Sequence, residues 1–315
     1  MDNYRVTILL ATFNRAHLIE ETLNSIKSQT YQNWECIIVN DHSTDDTSKV
    51  VSDFISEDSR FSYFLKTEAY KKGLSGTRNY GLDLARIKNA KYIQFFDDDD
   101  IMHPQKLELQ MQPFYDDLSL NLTICQYRKF IDTGTIEFDL KKADDNLCNV
   151  KTKTLLESFF LYQINLNSLG PIWKSNIILK YRFNEELKYG EERELFLRIF
   201  LVESINYMPV PYVLFWYRKH KKTITGDLFE NEFVKVESNR IIDKNIFNLL
   251  VSQDRVSYPL LKAYTVWGIK YNNQFFLKGI SEFIRNNEDL KYSLKYFKLY
   301  SLANLFLLFH KIKSN

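Results

Sequence analysis

The chain has 315 residues, 45% of them hydrophobic and 26% charged, and a formal net charge of +2 at pH 7. That length holds one large domain or two small ones, the composition is that of a soluble globular protein, and the near-balanced charge excludes a nucleic-acid binder that works by bulk electrostatics. Cys36, Cys125 and Cys148 lie far apart with no C-x-x-C spacing, which argues against a zinc site and suits a reducing compartment.

The first hundred residues alternate strand and helix patterns. "YRVTILLAT" is a β-branched apolar run, and Asn14 after it is expected to cap a helix. Leu18, Ile19, Leu23 and Ile26 then recur at helical spacing. "ECIIVND" is a second strand. Ser43 or Thr44 is expected to cap the next helix, with Asp45 and Asp46 in its first turn. "FSYFLK" is a third strand, "SGTRNYGLDLARI" a helix and "KYIQFF" a fourth strand. Cys36 and Cys125 fall inside apolar strand-like runs and are expected to be buried thiols. Alternating strands and helices imply a largely parallel sheet covered on both faces, an α/β fold. The apolar start lacks a basic leader and a cleavage site and is too short to span a bilayer, which indicates a cytoplasmic chain.

After Pro104 the pattern becomes mixed. "LTICQYRKFI" and "TIEFDL" read as strands around the turn residues Asp132 to Gly134, and Lys153 to Leu166 reads as helical. "EERELFLRIFLVE" is an amphipathic helix, "YVLFWYRKH" a further strand, and from about Asp227 the chain reads as mostly helical. The expected division is an α/β domain over residues 1–225 and a helical extension over 226–315. Within the first, residues 1–100 carry the alternating pattern and 101–225 the mixed one.

In open parallel sheets, ligands bind beyond the carboxyl ends of the strands. Polar clusters fall at such ends: "ATFNR" after the first strand, "NDHST" after the second, and "DDDD", Asp97 to Asp100, after the fourth. Adjacent carboxylates repel and disfavour shared ionisation. A hard divalent cation resolves the conflict, and magnesium or manganese takes one or two carboxylates together with phosphate oxygens. The plain alternative, a solvated acidic loop, fits poorly behind a buried strand. Arg15, Lys71, Lys72 and Arg78 are candidates to meet phosphate. Gly73 and Gly76 loosen the approach loop without forming a P-loop.

The ordered segments "ILLATFNRAHLIEETLNSIKSQTYQNWECIIVNDHSTDDT", "GLSGTRNYGLDLA", "YIQFFDDDD", "GEERELFLR" and "YRKHKKTIT" resemble the family 2 glycosyltransferases, inverting nucleotide-sugar enzymes of the GT-A fold. The resemblance runs over residues 4–225. It implies that Ala11, Thr12, Phe13, Asn14 and Arg15 line the nucleotide pocket, with Phe13 against the uracil. By the same resemblance Asp41 accepts a hydrogen bond from the base and Arg78 lies beneath the nucleotide. Asp97 and Asp99 stand as the outer members of the family's D-x-D motif: Asp99 ligates the metal, and Asp97 or Asp98 supports the ribose or the metal. His220 resembles the C-terminal histidine that reaches metal or diphosphate. Glu192 stands where the family holds its base, usually aspartate, with Glu191 as the alternative. Acids at a helix start also favour the helix dipole, a reading compatible with either role. Departures from the family pattern are Asn40 for an aspartate, His42 for a glycine and Asp98 for a small residue.

The implied activity is Mn2+- or Mg2+-dependent transfer, with inversion, from a UDP-sugar to a hydroxyl of a glycan acceptor. The family's habit makes that acceptor a lipid-linked bacterial surface glycan, such as capsule or lipopolysaccharide. A phosphohydrolase with an aspartate nucleophile wants its D-x-D after the first strand, where this chain has "ATFNR". A non-catalytic nucleotide-sugar binder would keep Asp99 and need no base. At the C-terminus, Leu290, Leu294, Phe297, Leu305 and Leu308 form an apolar stripe and Lys291, Lys295 and Lys298 a basic one. Residues 288–313 are therefore expected to lie on a membrane surface or to pack against protein. The sequence does not fix the oligomeric state.

Overall fold

The computed structural model describes residues 4–131, 136–140, 150–152, 154–219, 232–291 and 293–313. Cys148 and His220, with the readings attached to them, lie outside the described residues. The strands are β1 (Val6–Thr12), β2 (Trp34–Asn40), β3 (Phe61–Leu65), β4 (Tyr92–Asp97), β5 (Ile101–Met102), β6 (Leu122–Ile131), β7 (Pro171–Lys174) and β8 (Tyr207–Lys219). The helices are α1 (Ile19–Lys27), α2 (Thr47–Ile55), α3 (Leu74–Ile87), α4 (Lys106–Asp116), α5 (Leu155–Phe160), α6 (Ser175–Ile178), α7 (Glu191–Val202), α8 (Glu232–Ser252), α9 (Tyr258–Lys270), α10 (Gln274–Asn286), α11 (Glu288–Lys291) and α12 (Leu294–Lys313). They form two compact units, residues 1–152 with 164–239 and residues 153–163 with 240–315.

The first unit holds one sheet in the order β3-β2-β1-β4-β7-β6-β8-β5. β3, β2, β1 and β4 pair in parallel, and β7 then joins β4 antiparallel. Every residue of β1 is buried, and β4 is buried up to Asp97. Runs so uniformly apolar suit central parallel strands packed on both faces. The register decides where the site forms. Thr12 lies beside Asn40, and Ala11 lies beside Asp97, so the first, second and fourth strands end at one level.

Several local expectations are corrected. Asn14 does not cap α1, which begins five residues later at Ile19. Asn14 instead adopts φ 53°, its N–H donates to Ser43 Oγ at 2.9 Å, and its Oδ1 accepts from Thr44 N at 2.7 Å. Ser43 and Thr44 are thereby used to tie the β1 and β2 ends together. α2 starts at Thr47, with Asp45 before it accepting from the Thr47 N–H at 3.0 Å. "TIEFDL" forms no strand over its described residues 136–140. Ile136 lies on the cluster of Ile101, Val213 and Trp216 and the Phe138 ring meets Trp216 edge-on at 5.2 Å, but Phe138 and Leu140 stay exposed. The helix read across Lys153 to Leu166 is confined to α5.

Asn40 has a structural reason. Its Nδ2 donates to Tyr63 Oη at 2.6 Å and Ser48 Oγ at 3.1 Å, while its Oδ1 accepts from Ser43 N at 2.8 Å. A carboxylate supplies no donor for the first two bonds. Cys36 and Cys125 are buried free thiols, as expected. In the second unit, Phe160, Phe247, Tyr264, Trp267 and Phe276 pack as an aromatic core.

Candidate active site

The sheet register brings the loops after β1, β2 and β4 together, and α3 and α7 add their first turns. Gly73, at φ 114°, starts α3 in a conformation that side chains avoid. A Cβ at Gly76 would collide with the Lys71 carbonyl oxygen. These glycines let the 66–73 loop fold closely onto the helix start.

Beyond the end of β1, Phe13 is 38% exposed and Lys72 Nζ lies 5.1 Å from its ring centre. Ala11 and Thr12 are buried in the strand beneath. Asp41 is buried and already engaged: Lys66 Nζ pairs with its Oδ1 at 2.7 Å and Gly73 N donates to its Oδ2 at 2.6 Å. Lys66, itself buried, was not singled out from the sequence; a lysine closing a strand was the available signal. His42 takes φ 59°, the left-handed conformation that a glycine adopts without strain.

The acidic run divides into distinct environments. Asp97 Oδ1 accepts from Arg78 Nη2 at 2.7 Å. Asp98 accepts from the Phe13 N–H at 3.1 Å, and Arg15 Nε lies 3.4 Å from it. Burial and the neighbouring charge of Asp99 push Asp98 up to about 8. Asp99 keeps some exposure, its Oδ2 3.6 Å from Arg15 Nε. Asp100 is fully buried and accepts from the Arg218 N–H at 2.7 Å. Burial, with the charges of Asp99 and Asp97, raises its affinity for a proton well above the ordinary.

Arg78 joins this run to the first turn of α7. It is buried, donates to Ser168 Oγ at 2.8 Å as well as to Asp97, and its Nη1 lies 4.0 Å from Glu191 Oε1. Gly190, at φ 71°, turns the chain into α7. Burial and the charge of Glu192, partly offset by Arg78, raise Glu191 to about 7. Burial also raises Glu192. The sequence-predicted residues thus fall into Phe13 with Lys72, Arg15 with Asp98 and Asp99, and Asp97 with Arg78 and Glu191. No sequence signal marks Ser168; Arg218 lies inside "YRKH", beside the histidine that the family resemblance singles out.

Residues 7–172 match the family model described as Glycosyl transferase family 2. The chain belongs to that family. The GalNAc(5)-diNAcBac-PP-undecaprenol beta-1,3-glucosyltransferase of Campylobacter jejuni is 30% identical over 200 residues, covering 64% of this chain and 61% of that protein. The UDP-Glc:alpha-D-GlcNAc-diphosphoundecaprenol beta-1,3-glucosyltransferase WfgD of Escherichia coli is 40% identical over 111 residues, 35% of this chain and 41% of its own length. The chain therefore spans less than two thirds of either relative. Among solved structures, S. aureus TarS 1-349 in complex with UDP-GlcNAc aligns with a TM-score of 0.54 and 17% identity over 89% of this chain and 81% of that one. At that identity the likeness concerns the fold, which is the GT-A fold with helices following it.

Proposed function

We propose that this family member is a metal-dependent inverting glycosyltransferase that moves a sugar from a UDP-sugar to a hydroxyl of a lipid-linked glycan acceptor in bacterial surface-polysaccharide synthesis. The observation that carries the reading is the chain Asp97–Arg78–Glu191, centred on a buried arginine, which ties the acid run to a pair of carboxylates at a helix start. A mere binder has no use for Glu191 and Glu192 held in a site that disfavours their ionisation. The acceptor class follows the names of the C. jejuni and E. coli relatives.

A divalent cation fits the acid run. Burial and the neighbouring charge of Asp99, offset in part by Arg15, raise Asp98 to about 8. Oxygen donors suit Mg2+ or Mn2+. Mg2+ typically takes one or two protein carboxylates together with substrate phosphate oxygens. Asp99 would hold it, with Asp97 beside it. Bound there, it would offset the charge growing on the leaving diphosphate.

The chain's own residues do the rest. Phe13 offers an exposed ring to the uracil, with Lys72 beside it. Asp41, held by Lys66 and Gly73, shapes the floor of the base pocket. Arg78 holds Asp97 and Glu191 in fixed relation. Burial raises the proton affinity of both carboxylates of the pair and the Arg78 charge lowers it for both; Glu192 is the member at the position of the family's base. Glu192 takes the proton from the acceptor hydroxyl as it attacks the anomeric carbon from the face opposite the diphosphate. Such base assistance is worth roughly a hundred- to ten-thousand-fold in rate.

The C-terminal helix supports a peripheral site of action at the inner membrane face. Leu294, Phe297, Leu305 and Leu308 are 69%, 54%, 52% and 57% exposed, while Tyr296, Leu299 and Ala303 face inward. Among the described residues no helix is long and apolar enough to cross a membrane. An exposed apolar row flanked by lysines suits the membrane interface. The test of the main proposal is UDP release from a panel of UDP-sugars, with and without Mn2+. One donor should be turned over only with metal, and Asp99→Asn should abolish manganese-dependent UDP binding by calorimetry. Release from no donor, or Mn–UDP affinity unchanged in the variant, contradicts it.

A further inference from the structure

Arg218, near the end of β8, is 1% exposed. Burying a guanidinium is costly unless its charge and donors are answered. Here the answers come from the acid run and from α1. The guanidinium Nε donates to the Asp99 carbonyl oxygen at 2.7 Å, and the Arg218 backbone N–H, which any residue there would supply, donates to Asp100 Oδ1 at 2.7 Å. Its Nη2 pairs with Glu21 Oε2 on α1. The Phe130 ring lies 4.7 Å from the guanidinium carbon. From the other side, Thr22 Oγ1 donates to the Asp100 carbonyl oxygen at 2.9 Å, and the Met102 N–H donates to Ser25 Oγ at 3.1 Å.

The main chain of the acid run is thus gripped between β8 and α1. We infer that Arg218 is a positioning residue for the transfer reaction: it locks the Asp99–Asp100 backbone so that the Asp99 carboxylate is set toward the donor diphosphate before any ligand binds. The inference rests on the proposed role of Asp99. Its physical basis is preorganisation: a loop already fixed need not be ordered on binding, so that cost does not weaken affinity. Arginine is required because its planar fork reaches the carbonyl and Glu21 together, whereas a lysine offers one point charge. The acid run reads in sequence as a local motif, yet its alignment is set by a residue more than a hundred positions away.

The test uses the full chain with Arg218→Lys and, as a milder probe, Glu21→Gln. Amide hydrogen exchange is followed over residues 98–102 and over β1 and β2, and Mn–UDP and metal-free UDP affinities are measured by calorimetry. Arg218→Lys should speed exchange in the acid run while leaving β1 and β2 protected. It should also weaken Mn–UDP binding by about tenfold to a hundredfold, the usual effect of losing a partner that orients a metal ligand, with metal-free UDP binding unchanged. Glu21→Gln should shift both readouts the same way by less. Unchanged exchange and Mn–UDP affinity in folded Arg218→Lys overturn the inference. So does exchange that rises equally throughout the sheet, which is the mark of a general stability residue. If Arg218→Lys does not fold, Glu21→Gln decides by the same readouts. Should the wild-type chain bind no Mn–UDP, the assignment of Asp99 fails, and the exchange comparison still decides whether Arg218 locks the loop.

Discussion

Removing the Arg78 side chain tests the link between the donor and acceptor sides of the site. The guanidinium is buried, 2.7 Å from Asp97, 2.8 Å from Ser168 and 4.0 Å from Glu191. Arg78→Met keeps much of the volume but leaves Asp97 and Glu191 without their cation. Breaking a buried ion pair by deleting one partner costs about 3–5 kcal/mol, and the loss of stability should fall in that range by urea denaturation. The same change has a kinetic signature. Arg78 lowers the proton affinity of Glu191 and Glu192, so its loss raises both. The acid limb of the pH–rate profile must then move to higher pH, because the base must be ionised to act. Arg78→Lys should restore part of the stability and move the limb back. A variant within about 1 kcal/mol of wild type, too small for a severed buried pair, with an unshifted acid limb refutes the reasoning.

Lys106 gives a second test, of the core behind the site. It is fully buried, bonded to Gln94 Oε1 at 2.6 Å and Gln110 Oε1 at 2.5 Å, and burial pushes it down to about 8. The unfolded chain binds this proton up to about 10.5, so the group's contribution to stability rises with pH between those values and is flat below them. Wild type should gain about 2 kcal/mol from this group between pH 8 and 9.5, and Lys106→Met should lose that slope in urea denaturation. For the C-terminal helix, the full chain should co-sediment with anionic vesicles at moderate salt, and removal of residues 288–315 should abolish it; no binding by the full chain contradicts a membrane role.

Much of the catalytic unit is legible because it is built from buried strands. β1, β2 and β4 read as unbroken apolar runs, and α3 carries a clear helical period. The acid run announces itself because like charges at the end of such a strand need an explanation. Residues whose partners are distant in sequence escape such reading. Arg218 pairs with Glu21 across 197 positions, and Lys66 in "FSYFLK" looks like an ordinary strand end until Asp41 folds against it. Asn14, Ser43 and Thr44 differ from expectation for another reason. A short polar side chain after a strand can cap a helix or bond to a neighbouring loop, and only the register of β1 with β2 decides which. "TIEFDL" shows that alternation alone settles neither pairing nor burial: Ile136 packs against Trp216 and its neighbours, while Phe138 and Leu140 stay exposed.

The measurement closest to the central claim is the turnover of Glu192→Gln with the UDP-sugar that wild type uses. Glutamine keeps the size and the helix start but cannot accept the acceptor's proton. Sugar transfer should fall by a hundredfold or more, in line with about a hundred- to ten-thousand-fold for a lost general base, while Mn–UDP affinity stays at the wild-type value. Near-normal transfer by Glu192→Gln would contradict Glu192 as the base, and near-normal transfer by the Glu191→Gln, Glu192→Gln double variant would contradict the account of this site as a whole.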